Sequence, residues 1–293
     1  MYGRGVAVSK SDFATYAYAL LALKSLSRPP TGTVELHLTY DEEAGGAIGP
    51  KWLLDQGVTA PDYAISAGFS YAMITAHNGC LHLEIVITGK SAHAARPETG
   101  HDALEAAARV LNALYTHRKD LSDMHSAVPG ISSPTLVVGL IRGGINTNVV
   151  PDAVTFRLDR RIIPEENSAE VERELTGLIR ASVAGQPGIG CEVRRIMLAE
   201  PLKPVPGLER LVDLLQRNAA AVFGEEIAAL GVPLYTDARH YAAAGIPTVL
   251  YGAGPRTLIE ANAHAADERL PLADLRKATE VTALTLLDLL RKA

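Results

Sequence analysis

The sequence predicts an α/β protein: a split α/β domain carrying an inserted, compact β-α-β-β-α-β unit of the ferredoxin-like type. Three observations predict it. Both ends of the chain alternate short strands with helices, residues 79–198 switch to longer alternating strands separated by two helices, and 293 residues suffice for two ordinary domains. The expected division is therefore 1–78 with 199–293 as one domain and 79–198 as the insert.

The elements follow in order. After Tyr2-Gly3-Arg4-Gly5, the Ala/Leu-rich stretch Phe13 to Leu26 has apolar residues at helical spacing, with Ser11 or Asp12 as the expected cap. Arg28-Pro29-Pro30-Thr31-Gly32 breaks it, and Thr33 to Tyr40 alternates like a strand. Asp41-Glu42-Glu43 would then stand at a strand's carboxyl end, followed by the flexible Ala44-Gly45-Gly46 and a helix from Ile48 to Gln56 whose Pro50 sits in the first turn. Open α/β sheets bind ligands outside the carboxyl ends of their strands, which places chemistry here.

The insert begins after Asn78-Gly79. Its predicted elements are a strand from Cys80 to Thr88, a helix from Asp102 to His117, strands from Pro134 to Ile141 and Ala153 to Ile163, a helix from Ser168 to Ala184, and a last strand from Cys191 to Leu198. From Leu202 the α/β pattern resumes, with a helix from Gly207 to Val222, a strand from Thr248 to Tyr251 and a closing helix from about Asp274 to Leu290.

Composition narrows the function. A 47% hydrophobic and 21% charged chain is that of a globular protein with a sizeable core. A net charge of −5 without a Lys/Arg block argues against nucleic acid, whose phosphates demand clustered cations. Cys80 and Cys191 are too few for a disulfide framework and fit a reducing cytoplasm. No apolar run reaches membrane-spanning length and no secretory signal is evident, so neither membrane nor export is expected. A small-molecule partner is the natural default.

Several residues could carry chemistry. Three adjacent acids are ordinarily a solvated loop, yet at a strand end before Gly-Gly one carboxylate can hold a cation while its neighbour takes a proton from water. His264, in the loop after Gly252-Ala253-Gly254-Pro255, is either simply exposed or a zinc-type nitrogen donor. His93, in Ser91-Ala92-His93-Ala94, is either solvated or a donor to charge developing on a carbonyl oxygen. Asn148 and Arg161 flank a strand; Arg161 is either part of a salt-bridged face or a clamp for a substrate carboxylate.

Taken together, the segments resemble the zinc aminoacylase, succinyl-diaminopimelate desuccinylase and glutamate carboxypeptidase family of metallohydrolases. The resemblance rests on Tyr2-Gly3-Arg4-Gly5, Thr39 to Gly46, Gly89-Lys90-Ser91-Ala92-His93, Asn148-Val149-Val150-Pro151 with Arg161, Asp237-Ala238-Arg239, Gly252-Ala253-Gly254, and His264 with Glu268, all in family order over essentially the whole chain. It implies a catalytic α/β domain and an inserted lid through which two subunits form a homodimer. It further implies Glu42 as general base, Glu43 and His264 as ligands of a zinc ion, with manganese or cobalt as alternatives, and His93 as an oxyanion donor lent by the partner subunit. Asn148, Arg161 and the Gly252, Ala253, Gly254 turn would hold the substrate, an N-acyl amino acid or short peptide whose amide is hydrolysed.

The chain also departs from the family's pattern. A His-x-Asp metal segment would precede Met1, the place of the bridging aspartate is held by Val8, and the further carboxylate is expected where the chain reads Ser66-Ala67-Gly68-Phe69-Ser70. An alkyl group cannot coordinate. The alternative expectation is a non-catalytic relative with a degenerate metal site, acting as a carboxylate-binding or dimeric interaction protein.

Overall fold

The structure, a computed structural model, describes residues 1–7, 9–28 and 30–291, so Val8 and Pro29 lie outside the described residues. In chain order its helices are α1 (Lys10–Lys24), α2 (Pro50–Asp55), α3 (Ala103–Leu121), α4 (Ser168–Val183), α5 (Leu208–Phe223), α6 (Ala238–Ala243), α7 (Leu258–Ala261) and α8 (Leu272–Leu290). Its strands are β1 (Ala64–Ser66), β2 (Met73–His77), β3 (Gly79–Thr88), β4 (Thr135–Gly143), β5 (Ala153–Ile162), β6 (Gly190–Ala199), β7 (Ala229–Val232) and β8 (Thr248–Leu250). They form two compact units: Met1–His77, Leu202–Val232 and Thr236–Ala293 in the first, Asn78–Pro201 with Pro233–Tyr235 in the second.

The first unit is built on a mixed sheet of order β1-β8-β2-β7, with β1 parallel to β8, β2 parallel to β7, and β8 antiparallel to β2. Side chains alternate across a strand, so both sheet faces are apolar. Met73 and Val249 join Leu208, Leu211 and Leu215 of α5 and Val281 of α8 in one cluster, whereas Ile74 and Leu250 join Leu202 and Ala238 in another. A sheet buried on both sides holds its connecting loops at its ends, where polar groups can gather.

Two expectations fail in this unit. Residues 33–40 form no strand, and Asp41 to Glu43 therefore follow an irregular segment rather than a strand end. The alternation is real, but a strand exists only beside a hydrogen-bonding neighbour, and among the described residues none flanks this segment. Nor do Ser11 or Asp12 cap α1: the helix starts earlier, at Lys10, Ser9 makes no side-chain cap bond, and both residues are buried in the first turn. Burial demands partners for Asp12, and it finds them on other segments.

In the second unit a wholly antiparallel sheet of order β4-β5-β3-β6 is crossed by α3 and α4, giving the β-α-β-β-α-β order of a ferredoxin-like unit. Leu81, Leu83, Ile85 and Ile87 of β3 and Val154, Phe156 and Leu158 of β5 occupy one face and pack with Ala107, Val110 and Leu114 of α3 and Leu175 and Ile179 of α4. Asp102 caps α3 by accepting from Leu104 and Glu105 N–H at 2.8 and 3.0 Å, and Asn167 caps α4 in the same way through Ala169 and Glu170. The opposite face carries Cys80, His82 and Glu84 against Arg161, Asp159 and Arg157 in register.

Candidate active site

The acidic turn is a 3-10 turn, Glu42–Ala44, and its shape is fixed from both sides. Asp41 Oδ2 accepts from Ile48 and Gly49 N–H at 2.7 and 3.1 Å, so this carboxylate closes the loop. From α6, Arg239 Nη2 and His240 Nε2 both donate to the Gly45 carbonyl, at 2.6 and 2.9 Å. Gly46 has a left-handed φ of +65° and lies against Asp237, whose carboxylate occupies the space a Cβ would need. Loop and helix therefore hold Glu42, Asp237 and Arg239 in one neighbourhood.

That neighbourhood perturbs Glu42. Burial, reinforced by the charges of Asp237 and Glu43 and opposed by Arg239, pushes its carboxyl up to about 7. Burial also pushes Asp237 up to about 6, against the pull of Arg239. A carboxylate poised near neutrality is what a general base requires.

Glu43 points elsewhere. It is exposed and lines a cleft with Arg4, Gly5, Lys10, His264 and Glu268. The structure thus brings together the two predicted metal ligands. His264 is exposed, with a left-handed φ of +62°, in a loop where Asn262 and Asp267 also have positive φ. Such backbone conformations cost of order 1–3 kcal/mol each and gather at functional loops. Glu268 is buried, and its Oε1 accepts the Ala7 N–H at 2.9 Å, tying this loop to the Gly3 to Ala7 segment.

The Gly252-Ala253-Gly254 turn is buried and its amides are spent internally. Ala253 N–H donates to Asp12 Oδ1 at 2.6 Å and Gly254 N–H to the Gly68 carbonyl at 2.9 Å. Gly68 N–H in turn donates to Asp12 Oδ2 at 3.2 Å. Asp12 therefore fastens α1 to two glycine turns, and burial pushes its carboxyl up to about 7. Asp41 closes its own loop through Oδ2, while its Oδ1 is buried without a hydrogen-bond partner among the described residues.

Glu43 and His264 offer a carboxylate oxygen and a ring nitrogen to the same cleft, donor types that a zinc-class ion takes. Residues 66–70 contain no carboxylate, and Gly68 is required there because a Cβ would lie 2.6 Å from the Leu250 and Tyr251 backbone. Val8, whose side chain offers no donor, is outside the described residues. Among the described residues the only trio of His, Cys, Asp or Glu donors within 4.8 Å of one another is Cys80, His82 and Asp159 in the second unit, which sequence reasoning missed.

The remaining predicted residues lie in the second unit. The loops at 90–94 and 148–150 pair, with Ala94 N–H donating to Asn148 O at 2.9 Å and Val150 N–H to Ala92 O at 2.8 Å, so His93 and Asn148 are neighbours. Both are exposed. His93 Nδ1 accepts the Ala95 N–H at 3.1 Å, which leaves Nε2 as the protonated nitrogen of a neutral ring and hence a donor. Arg161 gives its Nε to Asp159 at 3.0 Å and lies 5.8 Å from the centre of the Tyr235 ring.

Comparison with known proteins places the chain in a family. The sequence pattern of Peptidase family M20/M25/M40 matches residues 1–288. The chain is 27% identical to an acetylornithine deacetylase from Myxococcus xanthus, over 97% of this chain and 71% of that protein. Its fold is similar to that of a tripeptidase from Staphylococcus aureus, with a TM-score of 0.77 and 21% identity over 98% of this chain and 72% of the other. An M20 family metallo-carboxypeptidase from Sulfolobus solfataricus gives a TM-score of 0.73 at 17% identity, over 98% of this chain and 77% of the other.

Proposed function

Since the chain belongs to peptidase family M20/M25/M40, a family of metal-dependent amide hydrolases, we propose that it hydrolyses the amide of N-acyl amino acids or short peptides with Glu42 as general base. The observation that carries this reading is Glu42 itself, pushed up to about 7 in a loop clamped by α6, one residue before a side chain lining the Glu43 and His264 cleft. Zinc is the proposed cofactor, with manganese or cobalt as substitutes, held by Glu43 and His264. When bound it would supply polarisation of the scissile carbonyl and acidification of water.

The chain's own residues do the rest. Glu42 takes the proton of the attacking water, whose oxygen bonds to the amide carbon. It then delivers that proton to the nitrogen as the C–N bond breaks, leaving a carboxylate and a free amine. His93 Nε2–H donates to the developing oxyanion, while Asn148 and Arg161 hold the substrate carboxylate. The Gly252 to Gly254 turn acts by positioning, because its amides are already bonded.

His93 is proposed to serve the partner's site in a homodimer formed through the inserted unit as a lid. The support is β4, an edge strand bonded only to β5, whose Val137, Leu140 and Ile141 are 52, 62 and 55% exposed. The cytoplasm is the proposed compartment, supported by two cysteines in no disulfide and, among the described residues, no helix long and apolar enough to cross a membrane.

The test is release of free amino acid from N-acetyl amino acids and dipeptides with zinc or manganese added, and its loss on chelation. A protein that releases none under any metal, while properly folded, contradicts the reading. A second reading is favoured by Arg4 and Lys10, two cations lining the same cleft and suited to hold a carboxylate. Tight binding of an N-acyl amino acid without turnover, unchanged by Glu42→Ala, would identify such a non-catalytic binder.

A further inference from the structure

The helix-free face of the second unit's sheet holds a cluster that the proposed hydrolysis does not use. On β3, Cys80 and His82 alternate with the core residues Leu81 and Leu83, and the antiparallel register sets His82 opposite Asp159 of β5. Three different donor atoms converge there. His82 Nε2 lies 3.2 Å from Cys80 Sγ and 2.9 Å from Asp159 Oδ2, and Cys80 Sγ is 3.7 Å from the same oxygen. We propose that Cys80, His82 and Asp159 form a binding site for one zinc-class divalent cation within the inserted unit.

The spacing suits a tetrahedral ion. With metal bonds of about 2.3 Å to sulfur and about 2.0–2.1 Å to nitrogen and oxygen, tetrahedral donors stand about 3.3–3.6 Å apart. The observed separations bracket that range, so small side-chain adjustments seat the ion. A mixed thiolate, imidazole and carboxylate set matches a borderline cation rather than magnesium or calcium.

The geometry also separates this site from a nucleophilic Cys-His-Asp relay. In a relay the two ring nitrogens face different partners, the base on one side and the orienting carboxylate on the other. Here one nitrogen, Nε2, faces both sulfur and oxygen. A single proton on Nε2 can serve only one of them, whereas a cation serves all three donors. Arg161 Nε bonds the other carboxylate oxygen, Oδ1, at 3.0 Å, which leaves Oδ2 to the cluster and orients it as outer-shell partners orient a ligating carboxylate. Burial pushes Asp159 up, but the His82 bond and the Arg161 charge outweigh it and hold the carboxyl below its usual value. Cys80 is buried, while the His82 and Asp159 side chains are 35 and 31% exposed, so solvent reaches the cluster on their side. Binding converts the Cys80 thiol to a thiolate and releases one proton to solvent.

Titration of the reduced, full-length, metal-free protein with Co²⁺ alone tests this. The expected result is one near-ultraviolet thiolate-to-cobalt charge-transfer band, saturating at one equivalent. The band should persist in Cys191→Ser and in the Glu43→Gln/His264→Ala double variant, and vanish in Cys80→Ser. His82→Gln and Asp159→Asn, at partly exposed positions that do not endanger the fold, should each weaken Co²⁺ at this band at least tenfold. Absence of the band from the wild-type protein overturns the proposal. So does its survival in Cys80→Ser, or an unchanged affinity in both His82→Gln and Asp159→Asn.

Discussion

Two carboxyl groups, of Glu42 and Asp12, are displaced upward for different ends. Glu42 must be ionised to act as a base, so turnover should rise with pH along an acid limb centred near 7, where its carboxyl titrates. A pH–rate profile checks this. A limb near 4 would remove Glu42 from the role. Asp12 instead serves the fold. Its native carboxyl is pushed to about 7 from 3.8, so the folded state keeps a proton that the unfolded chain releases above 3.8. The resulting stabilisation is complete below 3.8 and is lost as pH rises to about 7. Asp12→Ala leaves the Ala253 and Gly68 amides without their acceptor, and urea unfolding should show a loss of about 2–4 kcal/mol. Sequence reasoning proposed Asp12 as a helix cap because capping is local chemistry. Its actual partners lie 56 and 241 residues away, a pairing that no pattern near position 12 encodes.

Among the elements, the Glu42–Ala44 turn and its brace on α6 decide whether the base stands in place. Gly46→Ala would drive a Cβ into the Asp237 carboxylate at a left-handed φ, so the loop must move. Activity should drop at least tenfold with little change in melting temperature, because the loop contributes to none of the hydrophobic clusters described for its unit; an unchanged rate would show that the brace is dispensable. The long elements of the inserted unit were legible because each is specified locally, by two-residue alternation in β3 and β5 and by capped amphipathic spacing in α3 and α4. The three-residue strands β1 and β8 are different. Only β8 was foreseen, since Thr248-Val249-Leu250 has two β-branched residues and is buried throughout, whereas Ala64-Ile65-Ser66 has one and is half-buried. Residues 33–40 fail in the opposite sense, having the alternation of a strand with no paired neighbour among the described residues. Glu43 and His264 were legible as site residues only through family order. Their meeting in one cleft is a property of the fold. The cluster of Cys80, His82 and Asp159 could have been found by pairing β3 with β5 in register, which sets His82 across from Asp159.

For the whole molecule, the proposed homodimer and the proposed chemistry are linked through His93. If His93 completes the partner's site, His93→Ala and Glu42→Gln should each be inactive alone. Mixing them under conditions of subunit exchange should restore about a quarter of wild-type activity, since half the dimers are mixed and one of their two sites is intact. Strict additivity of two dead proteins would place His93 in its own subunit's site or outside catalysis. Charges introduced at Leu140 and Ile141 on the β4 edge should yield monomers by sedimentation and abolish turnover together. A variant that stays dimeric would locate the interface elsewhere.

A hydrolase whose base is Glu42 must lose turnover when that carboxylate is removed. The most direct test is the initial rate of amino acid release from an N-acetyl amino acid panel, with saturating zinc, for the wild-type protein beside Glu42→Gln. Measurable wild-type release is expected, with a loss of about 10²–10⁴-fold in the variant and substrate binding retained. Equal rates in the two proteins would contradict that role for Glu42.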